Sequence, residues 1–141
     1  MRSILFLTMA VLLVAPAYAG DDAEAVERAV LDYVEAVEQG KPELMQRGVH
    51  PDLHKFGFYR QEGAYRVIPM TFDQLVELAA NMKAEGHVPE NPTHEVEIFE
   101  VMDKTAAAKL TAFWGIDYMH LAKHEDEWKI VHVLWQSAPE D

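Results

Sequence analysis

Two side chains stand out as able to do chemistry. Asp117 lies in the run Ile116-Asp117-Tyr118-Met119, where its strand neighbours carry no charge. A carboxyl group in such company is costly unless it is hydrogen-bonded or protonated. It is therefore either a proton-active group in a pocket or a structural Asp, bonded to backbone or set at a surface bulge. Tyr33 falls within an apolar helical stripe, so it points inward and its phenol needs a partner. That partner is either a functional group or solvent at the rim of the core. Other chemistry is thinner. The chain has seven histidines and no cysteine, and His120 and His124, on a strand and a loop, do not make the helical i, i+4 pair of a zinc site. His50 precedes Pro51 and reads as a turn residue. There is no G-x-S-x-G and no Gly-rich phosphate loop, and neither a metal nor a cofactor is expected. Met70, Met82, Met102 and Met119 read as core fillers.

The elements that must hold Asp117 and Tyr33 follow from periodicity. Asp22 to Gln39 is predicted as a helix, with Val26, Ala29, Val30, Tyr33 and Val37 on one stripe. Asp21 and Asp22 suit its positive end and Gly40 its C-terminal stop. Pro42 opens a second, short helix that Gly48 ends, and His50-Pro51-Asp52 follows as a turn. His54–Arg60 and Ala64–Pro69 are expected as short strands joined by Gln61-Glu62-Gly63. Thr71 and Gln74 form a capping box for a helix running to about Lys83. From His94 to Gln136 three long antiparallel strands are expected, one of them spanning Ala106–Ala122 with a bend at Gly115. Helices first and strands clustered after them predict an α+β fold.

The last hairpin is apolar on both faces. Alternation puts Asp117, Met119, Leu121, Val131, Val133 and Trp135 on one side. Ile116, Tyr118, His120, Ile130, His132 and Leu134 then lie on the other. Two apolar faces need two covers, helices on one and a second copy of the chain on the other. The formal net charge is −12, with 24 acidic residues, which argues against nucleic acid and anionic lipid as partners.

Met1–Ala19 reads as a secretory leader: Arg2, an apolar stretch from Ile4 to Val14, and Ala17-Tyr18-Ala19 as a cleavage site. Export to the periplasm or the medium is expected, with no membrane attachment after cleavage. Residues 20–141 then form one domain. Without cysteine its stability must come from packing.

The order of elements and the final pattern Trp128-Lys129-Ile130-Val131-His132-Val133-Leu134-Trp135, together with His50-Pro51-Asp52-Leu53 and Trp114-Gly115-Ile116-Asp117-Tyr118-Met119-His120-Leu121, resemble the nuclear transport factor 2-like (NTF2-like) superfamily. The branch resembled is the one described as putative lumazine-binding, related to the SnoaL-like cyclases. That resemblance spans residues 20–141 and implies a curved antiparallel sheet wrapped by the N-terminal helices into a cone with a pocket inside. Asp117 and Tyr33 resemble the oxyanion-hole Asp and Tyr of ketosteroid isomerases, and Trp135 resembles an aromatic lining their pocket. Where those enzymes place a general-base Asp, this chain runs Leu53-His54-Lys55-Phe56-Gly57, with His54 as the substitute base. The resemblance implies a cavity faced by Asp117, Met119, Val133 and Trp135, with Trp114 and Tyr59 beside them. It also implies a homodimer through Tyr118, His120, Ile130, His132 and Leu134.

Three functions compete: a binder of a small, largely apolar molecule; an isomerase, dehydratase or cyclase using Tyr33 and Asp117 as proton or oxyanion donors, with His54 as base; and a dimeric interaction domain without ligand. The missing carboxylate base ranks the binder first.

Overall fold

The computed structural model describes residues 18–138; residues 1–17 of the expected leader lie outside them. Helix α1 spans Tyr18–Gln39, α2 Pro42–Gly48, and then come strands β1 (Val49–Gln61) and β2 (Ala64–Met70). Helix α3 (Phe72–Asn81) separates these from β3 (Glu95–Val101), β4 (Thr105–Ala112), β5 (Gly115–His124) and β6 (Glu127–Gln136). The six strands form one curved, unclosed sheet in the order β2-β1-β6-β5-β4-β3. The helices cover one face of it.

That inner face carries the core. Ala106, Ala108 and Leu110 of β4, Met119 and Leu121 of β5, and Ile130 and Val133 of β6 are all buried. They meet the expected α1 stripe, in which Val26, Ala29, Val30, Tyr33 and Val37 are buried together with Val34. Removing one of the large aliphatic side chains here, such as Leu110 or Ile130, would cost about 2–5 kcal/mol. Asp32 of α1 is buried, accepts from Arg28 Nε at 2.9 Å, and forms two 2.6 Å bonds with the Arg47 guanidinium, tying α1 to the end of α2. The capping box of α3 is present, with Thr71 Oγ1 accepting from Gln74 N and Gln74 Oε1 from Thr71 N.

Several expectations need correcting. The sheet is mixed, not antiparallel, because β1 runs parallel to β6 (Lys55 beside Val133). Such pairing joins distant segments and leaves no local mark in the sequence. The last third holds four strands, not three. Ala106–Ala122 is split into β4 and β5, which pair antiparallel down to Ala112↔Gly115 around a two-residue turn, Phe113-Trp114. This turn lacks the Asn, Asp or Gly that usually marks a hairpin. Gly115 follows it at φ 141°, where a side chain would be strained and a Cβ would meet the Gln136 carbonyl. His50-Pro51-Asp52 is not a turn but an irregular opening of β1, whose pairing with β6 jumps from Val49↔Ile130 to His54↔His132. Finally, Ile130 was expected on the outer face and Val131 on the inner one. The β5–β6 register shifts between His120 and Leu121, so Leu121 pairs with Ile130 and Val131 is the extra residue. The bulge swings Ile130 and Trp128 inward.

Candidate functional site

Asp117 sits at the middle of the sheet, paired with Leu110 on one side and Trp135 on the other, and is fully buried. Three donors from three separate elements converge on it. Tyr33 of α1 gives its hydroxyl hydrogen to Oδ1 at 3.1 Å. Lys55 of β1 reaches the same oxygen at 3.2 Å and also donates to the Tyr33 hydroxyl at 2.5 Å. Trp114, in the β4–β5 turn, donates its indole N–H to Oδ2 at 2.6 Å. An ionised Asp is acceptor-only, and both of its oxygens are used here. Burying an ammonium and a carboxylate costs several kcal/mol per ion, which mutual attraction and full hydrogen bonding must offset.

The surroundings push the two titrating partners in opposite directions. Burial, and then the Asp117 charge and hydrogen bond, hold the Tyr33 phenol well above its usual range, so it keeps its proton. Burial lowers Lys55 from the ordinary lysine value against the opposing pull of Asp117. As an ion pair, Lys55 and Asp117 add no net charge to the site.

Over this cluster opens a cavity of about 460 Å³. Tyr33 and Lys55 form its polar corner. Phe113, Trp114, Trp135 and Tyr59 give aromatic wall, and Ile68, Met70, Leu75, Leu78 and Met82 give aliphatic wall. The rings of Phe113 and Trp114 meet edge-on at 4.9 Å and 80°, which accounts for an aromatic pair in the turn: it is cavity wall. Trp135 lies against Gly57, where a Cβ would fall 2.1 Å from the indole, so only glycine admits the ring. Its Nε1 is buried and has no hydrogen-bond partner among the described residues.

The expected residues separate into three groups. Asp117 and Tyr33, 84 positions apart, meet in one hydrogen bond, and Trp114, Trp135 and Tyr59 line the cavity. Met119 and Val133 share the inner face but are buried in the core and do not reach the cavity. His54 is exposed on the opposite face, beside His132, so it stands away from the Asp117 cluster. Its neighbour Lys55 takes the inner position, because Leu53, Lys55 and Gly57 alternate inward along β1. Sequence reasoning missed Lys55. The available signal was a lysine in phase with Leu53 and Gly57, but Phe56 and Phe58 argued more loudly for the other phase, and both are exposed. Among the described residues no three His, Asp or Glu side chains gather as a metal-ligand set.

Known proteins share this arrangement of elements. The family model described as putative lumazine-binding matches residues 21–136. An NTF2-like protein from Shewanella baltica superposes with a TM-score of 0.71 at 16% identity, covering 89% of this chain and 100% of that one. One from Methylobacillus flagellatus gives 0.68 at 19%, covering 91% and 98%. A protein from Novosphingobium aromaticivorans described as a putative scytalone dehydratase gives 0.60 at 14%, covering 86% and 87%. At these identities the structural likeness speaks for the fold alone. No curated protein matches the chain in sequence.

Proposed function

The chain belongs to the putative lumazine-binding family of the NTF2-like superfamily, and from that membership and its cavity we propose that it binds a small, largely apolar, uncharged molecule. The observation that carries this reading is the cavity's make-up: about 460 Å³ of aromatic and aliphatic wall with one charge-balanced polar corner. That size and that ratio of apolar to polar wall suit a ligand site. A charged ligand would have to leave water and meet Lys55 already neutralised by Asp117, so a neutral molecule with one acceptor oxygen fits better. We read the protein as exported, from its N-terminal sequence. We read it as a homodimer through the outer sheet face, where Phe56, Phe58, Tyr118 and Leu134 are exposed; Ile130 does not belong to that face. A native mass spectrum of protein purified from its source organism tests the binding reading. A retained small mass supports it. An empty protein whose melting temperature no neutral aromatic compound raises would sink it.

A second reading is favoured by one observation, the Lys55–Tyr33–Asp117 chain of hydrogen bonds. In it the protein is an isomerase, dehydratase or cyclase in which Tyr33 and Asp117 relay a proton at the ligand oxygen. The Novosphingobium neighbour's description as a dehydratase gives that class an example on the same fold. Turnover that survives in wild type and collapses in Tyr33→Phe would separate catalysis from binding.

A further inference from the structure

Lys55 Nζ is tetrahedral and two of its three outward positions are spoken for. One N–H goes to the Tyr33 hydroxyl and one to Asp117 Oδ1. The third position is left for the cavity that Lys55 lines, with the Trp135 ring centre 5.2 Å from Nζ. In the ammonium form that position is an N–H facing apolar wall. In the neutral amine it is a lone pair, and both remaining hydrogens already have acceptors. From this geometry we infer that Lys55 is a nucleophile, condensing with the carbonyl carbon of an aldehyde or ketone seated in the cavity and holding it as an imine. The inference rests on the binding reading above and narrows its ligand to a flat, apolar carbonyl compound.

The surroundings suit each stage. Burial lowers Lys55 toward the free amine against the pull of Asp117, and the ammonium of the resting ion pair gives up one proton to solvent before it attacks, as a buried lysine nucleophile does. The Nζ–C bond forms first, giving a carbinolamine. The C–O bond then breaks and the oxygen departs as water carrying both of the amine's protons. Tyr33 touches Nζ and is protonated at the start and end of the exchange, passing one proton to the oxygen and taking one back from nitrogen. Uptake of a solvent proton leaves an iminium with a single N–H, and Asp117 is the acceptor waiting for it. No oxidant or reductant is needed, and hydrolysis returns the carbonyl compound.

The test uses the full chain, 2-naphthaldehyde as probe and cyanoborohydride to trap any imine. Intact mass and peptide mapping then locate the adduct. Naphthalene, with no carbonyl, serves as a non-covalent competitor followed by tryptophan fluorescence. The expected result is one adduct per chain at Lys55, exceeding any other lysine at least about tenfold, because the cavity holds the probe's carbonyl against that one amine. Naphthalene should suppress it. Lys55→Arg, which keeps a cation beside Asp117, should lose the adduct while still binding naphthalene. Naphthalene binding with no Lys55 adduct would overturn the imine and leave the cavity reading standing. Adducts spread evenly over the surface lysines would do the same. Failure of naphthalene to bind wild type would bring down the cavity reading, and the imine with it.

Discussion

The two faces of the central strands make opposite use of polar side chains. Along β1, β5 and β6, neighbouring residues part company: Lys55 and Asp117 go inward, while His54, Tyr118 and His132 go outward. On the inner face Asp117, Lys55 and Tyr33 are buried and bonded to one another, with Trp114 closing the set, so each one is held by the rest. On the outer face His120 and His132 meet Nδ1 to Nδ1 at 3.2 Å, but on an exposed surface where water can replace either partner. Residues side by side in sequence, His54 with Lys55 and Tyr118 with Asp117, thus differ in what their loss costs. The lesson is that burial, rather than residue type or hydrogen-bond count, decides which polar pair the fold depends on.

That contrast can be broken by mutation. The largest effect is expected for Asp117→Ala, which strands Lys55 and the Tyr33 hydroxyl. It should cost about 3–5 kcal/mol in denaturant unfolding, as breaking one side of a buried pair does. The apolar double variant Lys55→Met/Asp117→Leu should recover most of that loss, since it leaves no buried charge. If the double variant is as unstable as the single one, the cluster is not an interdependent unit. Gly57→Ala comes next. Its methyl would displace the Trp135 indole, costing about 1–3 kcal/mol by overpacking, and tryptophan fluorescence should shift with it. Tyr33→Phe removes one hydroxyl from between Lys55 and Asp117 and should cost about 1–3 kcal/mol.

On the outer face, His120→Ala should change the stability of the monomer by no more than about 0.5 kcal/mol. Its effect belongs in pH dependence. Partial burial lowers His132, and the charges of His120 and His54 add to this. The unfolded chain then takes up a proton at His132 before the folded one does. Stability contributed by this site is therefore full above the ordinary histidine value of 6.5 and is lost as pH falls from there toward the lowered folded value. His132→Gln should flatten that slope. A slope below pH 6.5 that is the same in His132→Gln would assign it to other groups.

What could be read from the sequence depended on whether the signal was local. Tyr33 and its stripe follow from helical spacing, and the α3 capping box from residues three apart. Asp117 was visible because strand parity placed a carboxyl among apolar neighbours. The rest required information the sequence spreads out or hides. The parallel β1–β6 pairing joins segments about 80 residues apart by Lys55↔Val133. The β4–β5 turn was hidden because Phe113 and Trp114 were kept aromatic for the cavity. Lys55 was hidden because Phe56 and Phe58 make the outer face of β1 apolar too, so hydrophobicity could not say which phase was inside. The bulge at Val131 reversed the faces of Ile130 and its neighbour for the same reason.

We propose that the cavity above Lys55, Tyr33 and Asp117 takes an uncharged apolar molecule. A tryptophan fluorescence titration tests it most directly, comparing 2-acetonaphthone with 2-naphthoate, which has the same rings but an ionised carboxylate. Trp114 and Trp135 line the cavity and would report on either ligand. Saturable quenching by the ketone is expected, with the carboxylate binding at least about tenfold more weakly, from the cost of desolvating a charge beside an already neutralised lysine. Equal or tighter binding of the carboxylate, or no saturable change with either ligand, would contradict it.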